Sequence, residues 1–184
     1  MSTLKVAIGI AAALLTASSY GQTYKFGKQA TAKEIAGWDI DVTPDGRGLP
    51  KGSGSVSRGK QVYDSTCAAC HGAKGEGKPA DRLVGGRGTL NTDRPVKTIG
   101  SFWPYATTIY DYVYRAMPYN APQSMKPDDV YAVTAYLLHL NGIVGADAVM
   151  DASTLPKVMM PNRAGFHADV RPDTTNSACM RDCR

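Results

Sequence analysis

Residues Ser65 to Gly72 read STCAACHG. Two thiols separated by two residues, with an imidazole straight after, suit two chemistries. A Cys-x-x-Cys pair can cycle between dithiol and disulfide, but that use wants a strand ahead of the motif and a βαβ frame. Here a helical run, VSRGKQVYDST, leads in, glycines follow, and His71 stands directly behind the second cysteine. Cys-x-x-Cys-His is instead the attachment pattern of a c-type haem. Thioether bonds from Cys67 and Cys70 reach two vinyl positions of the macrocycle, and His71 then faces the iron from the same side. The sequence holds one such motif, so one haem is expected.

The ligand on the opposite face decides whether the iron only changes charge or does chemistry at an open site. Neutral imidazole and thioether sulfur are the usual donors. After the motif the chain offers Met117, Met125, Met150, Met159, Met160 and Met180, with His139 and His167. Met117 has the best setting. It ends a helical run and precedes Pro118 in RAMPYNAPQ, where proline stops the helix and leaves the thioether on irregular backbone. Met125 is the alternative, although its place just before the last helix also suits ordinary packing. His139 lies mid-helix between leucines, His167 sits in the tail, and the Met159-Met160 pair suits packing of that tail over the core. His71 needs an acceptor for its other ring nitrogen, expected from a backbone carbonyl near Pro79. Arg87, Trp103 and Tyr105 are candidate donors to the haem propionates.

These residues need elements to hold them. VSRGKQVYDSTCAACH reads as a helix running into the haem turn, with Ser57 as N-cap. The loop HGAKGEGKPADRLVGGRG carries six glycines in 18 residues, too many for regular structure, and lets backbone approach a flat ring closely. WPYATTIYDYVYRA is an aromatic helix with Ile109, Tyr112 and Val113 on one stripe. PDDVYAVTAYLLHLNG is the last helix: Pro127 at its first position, Asp128 and Asp129 in the first turn, Asn141-Gly142 at its end. Its apolar stripe is Val130, Val133, Leu137 and Leu140, flanked by Tyr136. ATAKEIAGW predicts one short helix in an otherwise irregular N-terminal stretch that must lean on a core to be ordered. No strand is expected. The organisation is a signal peptide over 1–21, an irregular extension over 22–55, a haem domain over 56–143 and a tail over 144–184, in a mainly α chain.

Composition narrows the function. The chain has 184 residues, 43% hydrophobic, and a net charge of +5. That charge is spread without a run of five basic residues, which gives nucleic-acid binding no support. MSTLKVAIGIAAALLTASSYGQ has the parts of a secretory signal: Lys5, an apolar run from Val6 to Ala17, and small residues at Ser19 and Gly21. That run is short for a bilayer span. The expectation is export to the periplasm with no membrane span after cleavage. An oxidising compartment also suits a local or tail-pinning disulfide between Cys179 and Cys183, with a linkage to a partner subunit or a reactive thiol pair as the alternatives; the disulfide would close a very short loop and stabilise little through chain entropy.

Over residues 56 to 143 the chain resembles a class I c-type cytochrome, on Gly59 and Tyr63 before CAACH, the GEG loop, the MP step and the aromatic-bearing last helix. The resemblance implies the class I cytochrome c fold, here with long irregular N- and C-terminal extensions, in which the first and last helices cross with Gly59 near Tyr136. Further stretches extend it: ATAKEIAGWDIDVTPDGRGLPKGSG, TDRPVKTIGSFWPYATTIYDYVYRAMPYNAPQS and LPKVMMPNRAGF. These are similar to the cytochrome domain of the Sox-type periplasmic sulfane dehydrogenase of sulfur-oxidising bacteria, and to cytochromes that accompany molybdenum sulfite dehydrogenases. By that resemblance Cys67 and Cys70 are thioether anchors, His71 the proximal ligand and Met117 the distal one. The partners implied are a molybdenum-containing dehydrogenase subunit and a downstream electron acceptor. The Sox subunit has a second haem domain, whereas this sequence has one motif. The family also places a proline just before its Leu-x-Gly-Gly step, where this chain reads Asp81-Arg82-Leu83-Val84-Gly85.

The expected function is therefore periplasmic electron transfer by a monohaem cytochrome serving sulfite or sulfane oxidation, not catalysis by the chain itself. A generic periplasmic carrier is the alternative. A haem enzyme with an open distal site would need an acid-base residue there, and no Arg/His pair accompanies Met117. A tethering role for the extensions is compatible with electron transfer.

Overall fold

The computed structural model describes residues 26–170, so the expected signal peptide and the Cys179/Cys183 pair lie outside the described residues. The chain divides into two compact units between Asp39 and Ile40. In the first, α1 (Ala32–Ala36) is the short helix that ATAKEIAGW predicts. A capping box starts it. Thr31 Oγ1 accepts from the Glu34 N–H at 3.2 Å, and the Glu34 carboxylate accepts from the Thr31 N–H at 2.8 Å. None of its residues is buried.

The second unit is mainly helical. Its elements are β1 (Ser53–Ser55), α2 (Val56–Thr66), α3 (Ala68–His71), α4 (Ala106–Ala116), α5 (Pro127–Leu140), β2 (Val149–Asp151) and a 3₁₀ turn (Leu155–Lys157). The axis of this unit is α5. Pro127, Asp128 and Asp129 open it as the sequence predicts, Asn141 ends it, and Gly142 follows with φ +64°, the left-handed turn that glycine adopts without penalty. Every residue from Val130 to Leu138 is buried, wider than the predicted stripe, because α2, α4, β1 and β2 all pack on this helix.

The tightest packing is where α2 crosses α5. A Cβ added to Gly59 would stand 2.8 Å from Tyr136 Cβ and closer still to the Ala132 carbonyl. Gly54, in β1, meets the same Ala132 at its amide and methyl. Beside the crossing, the Tyr63 and Tyr136 rings lie 5.4 Å apart. The expected approach of Gly59 to Tyr136 is therefore present, with Ala132 as the closer neighbour.

Three local expectations are corrected. The N-cap of α2 is Ser55, not Ser57: β1 delivers Ser55 in extended backbone, and its hydroxyl accepts from the Arg58 N–H at 3.2 Å. On α4 the inward residues are Ile109 and Tyr110, whereas Tyr112 is 48% exposed. Tyr110 turns inward to pack on Tyr131, with ring centroids 4.4 Å apart. Strands also exist: β1 and β2 pair antiparallel with Gly54 opposite Met150. Three-residue strands are shorter than the alternation that betrays a strand in sequence.

Within this unit the irregular stretch from Asp41 to Pro50 does lean on the core. Asp111, on α4, is buried and accepts from the Val42 N–H at 2.9 Å while pairing with Arg115 at 2.6 Å. Arg115 also reaches Asp41 at 3.0 Å, and the Tyr131 hydroxyl donates to the Pro50 carbonyl at 2.8 Å. From the other end of the chain, Met150, Leu155 and Met160 enter the core, while Met159 is 73% exposed. Asp151 turns the tail there. Its carboxylate accepts from the Ser153 hydroxyl and from the Ser153 and Thr154 amides, which pulls its pKa down to about 2.

Two outcomes follow for stability. Gly59→Ala should lower the unfolding free energy by ~3 kcal/mol through overpacking against Ala132, read from denaturant titration. For Asp151 the folded pKa is depressed, so its contribution is full above pH 3.8 and is lost as pH falls through about 2. The difference in unfolding midpoint between the natural protein and Asp151→Asn should shrink over that window and be flat above it.

Candidate haem site

The end of α2 delivers the motif. Cys67 closes α2 and caps α3, its N–H bonded to the Tyr63 carbonyl at 2.8 Å, and α3 then carries Cys70 and His71 on a single turn. The two thiols and the imidazole are thus brought together by one stretch of helix, as the spacing predicts. Burial pushes the Cys67 thiol up to about 11, with Cys70 adding to the effect. A dithiol redox pair works through a lowered thiol pKa, so this environment disfavours that use and suits a sulfur held as a neutral thioether.

His71 is oriented by its backbone surroundings. The ring Nδ1–H donates to the Asp81 carbonyl at 2.7 Å, which leaves Nε2 with the lone pair a metal needs. The acceptor is a backbone carbonyl of the loop expected for it, two residues beyond Pro79: the Ala80 carbonyl accepts from the Lys78 N–H at 2.9 Å, and the following carbonyl, of Asp81, meets the ring. The loop after His71 folds back on the motif. Gly77 N–H donates to the His71 carbonyl at 2.8 Å, and the amides of Leu83 and Val84 both reach the Gly75 carbonyl. The Tyr63 hydroxyl, fully buried on α2, donates to the Gly72 carbonyl at 2.8 Å. Burial raises that phenol to about 12, so it remains a donor. Glu76 accepts from the Lys74 N–H at 2.7 Å; its own amide and that of Lys74 hold its carboxyl below the usual range.

Met117 caps the end of α4, half-buried and extended (φ −121°, ψ 149°), its N–H bonded to the Val113 carbonyl at 3.0 Å. The loop beyond it comes back to the motif helix. A cavity of about 320 Å³ is lined on one side by Val62, Ser65 and Thr66 of α2 and on the other by Pro118, Ser124 and Met125. The residue after Met117 and the residue before Cys67 therefore line the same cavity. Met125 also packs on the core. His139 is occupied otherwise, its Nδ1 bonded to the Val144 carbonyl at 3.2 Å, and His167 is exposed. Of the candidate propionate donors, Trp103 packs edge-on against Tyr112 at 5.8 Å, Tyr105 lies under the Arg163 guanidinium at 4.5 Å, and Arg87 is exposed.

The residues present fit a covalently held haem. Two sulfurs and one oriented imidazole share a turn. On the turn itself Cys67 and Ala68, and in the following loop Leu83, pack on the core while only partly buried, which leaves apolar surface for a macrocycle. Sequence reasoning missed Asn141 as part of this neighbourhood. It was readable only as a helix end, yet its side chain bonds Leu83 and Gly85 across the fold.

Comparison with known proteins agrees with this geometry. Residues 56–141 match the family model for cytochrome c. A search of curated proteins returns no match. Among solved structures, the crystal structure of the sulfane dehydrogenase SoxCD from Paracoccus pantotrophus is similar, with 44% identity and a TM-score of 0.77 over 88% of this chain and 83% of that one. No helix among the described residues is long and apolar enough to cross a membrane. The chain belongs to the cytochrome c family, as a class I c-type cytochrome that carries covalently bound haem c and transfers electrons.

Proposed function

We propose that the protein is a periplasmic monohaem cytochrome whose iron is closed on both faces, by His71 Nε2 and Met117 Sδ, and that it takes electrons from a molybdenum-containing sulfite or sulfane dehydrogenase and passes them to a downstream acceptor. The observation that carries the ligand reading is the 2.7 Å bond from His71 Nδ1 to the Asp81 carbonyl, which commits one ring nitrogen and aims the other. Met117 supports it by its place at the end of α4, with the loop beyond it returning to the motif helix. Similarity to a sulfane dehydrogenase over most of both chains supports the sulfur reading. The signal-like opening sequence supports the compartment.

The haem, when bound, supplies a one-electron couple, and the chain tunes it. Cys67 and Cys70 hold it, His71 donates with a basicity raised by its own hydrogen bond, and a thioether opposite raises the potential relative to a second imidazole. With His71 and Met117 both holding the iron, substrate would be kept from it.

Two measurements check this. Met117→Ala should abolish the thioether–iron absorption band of the oxidised protein and let the reduced protein bind carbon monoxide at once; an unchanged spectrum would transfer the ligand role to Met125 or a histidine. The purified cytochrome should be reduced by sulfite or a sulfane-sulfur donor when a molybdenum dehydrogenase of the same organism is added, and not by the donor alone. Failure with every such enzyme would leave a generic carrier.

A further inference from the structure

Asn141 stands at the end of α5, far in sequence from the haem turn, and its side-chain amide is fully engaged. Nδ2 donates to the Leu83 carbonyl at 3.2 Å and to the Leu137 carbonyl at 2.9 Å, while Oδ1 accepts from the Gly85 N–H at 3.1 Å. Two carbonyls on one side and an amide on the other leave a single sensible orientation of the amide. Gly100 permits this placement, since a Cβ there would stand 3.0 Å from Asn141 Cβ. Gly85 is held from its other side as well: its carbonyl accepts from the Thr98 hydroxyl at 2.5 Å. Thr98 is buried, and its N–H is bonded in turn to the Ser101 hydroxyl at 2.9 Å.

The segment so held is the one that orients His71. Asp81, the acceptor for the imidazole, is bracketed by Ala80, bonded to the Cys70 carbonyl, and by Leu83, bonded to both Gly75 and Asn141. A chain spans at most about 3.6 Å per residue, so two residues of slack leave the Asp81 carbonyl little room while both brackets hold. The Nδ1–H bond it accepts raises the basicity of the ring and fixes its orientation.

Resting on the reading of His71 as the proximal ligand, we propose that Asn141 is a positioning residue for that ligand: together with Thr98 it clamps the Leu83–Gly85 backbone, holds the Asp81 carbonyl against His71 Nδ1, and thereby sets the donor strength of the imidazole and the potential of the haem. Its role as an ordinary helix end, through Leu137, is separable. Thr98 touches the same clamp from the opposite side and makes no bond to α5.

The test uses the full haem-loaded protein with Asn141→Ser and Thr98→Val, reading the midpoint potential and, by NMR of the reduced form, the solvent exchange of the His71 Nδ1 proton. Loosening the clamp weakens the bond to Asp81, makes the imidazole a poorer donor and disfavours ferric iron. Both variants should therefore favour reduction, on the order of threefold, which at 59 mV per tenfold for one electron is about 28 mV upward, and the Nδ1 proton should exchange faster in both. Lower thermal stability with potential and exchange unchanged in both variants would overturn the clamp and leave Asn141 a helix end. If Asn141→Ser fails to load haem, Thr98→Val decides on the same two readouts. A natural protein whose spectrum lacks histidine ligation overturns the ligand reading and the clamp together, whereas a normal natural protein with unshifted variants overturns the clamp alone.

Discussion

The structure depends on how closely two backbones meet at Ala132. Gly59 from α2 and Gly54 from β1 both press on this one residue of α5, and neither could carry a side chain there. The approach fixes the depth at which α2 crosses α5, and α2 ends in Cys67. The haem turn is thus positioned from the core outward: Ala132 sets α2, α2 sets Cys67, and the single turn of α3 sets Cys70 and His71. A core this small keeps a cofactor more securely by covalent attachment than by packing alone, because the thioether bonds do not depend on the modest apolar area available.

Around that turn, the orientation of polar groups is the work of backbone more than of side chains. His71 bonds to a carbonyl, its own carbonyl accepts from Gly77, and Tyr63 satisfies Gly72. Such an arrangement tolerates varied side chains along the loop while demanding particular turns, which is why glycine dominates between Gly72 and Gly88. Electrostatics fit the same picture. Burial keeps the Tyr63 phenol protonated, so it goes on donating to the Gly72 carbonyl.

Much of this was readable beforehand, for identifiable reasons. The CAACH turn, Pro127 and Asn141-Gly142 are short-range signals whose physics is complete within a few residues, and each stands where the sequence puts it. Gly59 against α5 came from family resemblance, since nothing local in VSRGK names its partner. What was missed is long-range. Tyr110 rather than Tyr112 faces inward because Tyr131, on another helix, receives it. Ser55 caps α2 because a strand partner nearly a hundred residues later draws the preceding backbone straight. The loop carbonyl that meets His71 belongs to Asp81, because that of Ala80 already accepts from the Lys78 N–H. The extension from Asp41 to Pro50 looked featureless, yet its amide and carbonyls are matched by Asp111 and Tyr131.

The pairing of β1 with β2 bears on the order of events as the chain emerges. Gly54, which opposes Met150, also seats Ala132, and Met160 lies deeper in the same interior. A polypeptide appearing from its amino end would present the attachment turn about eighty residues before the strand that pairs with Gly54. The late arrival of that strand leaves the Gly54 edge of the interior open for that interval, while Cys70 stays at the surface before and after.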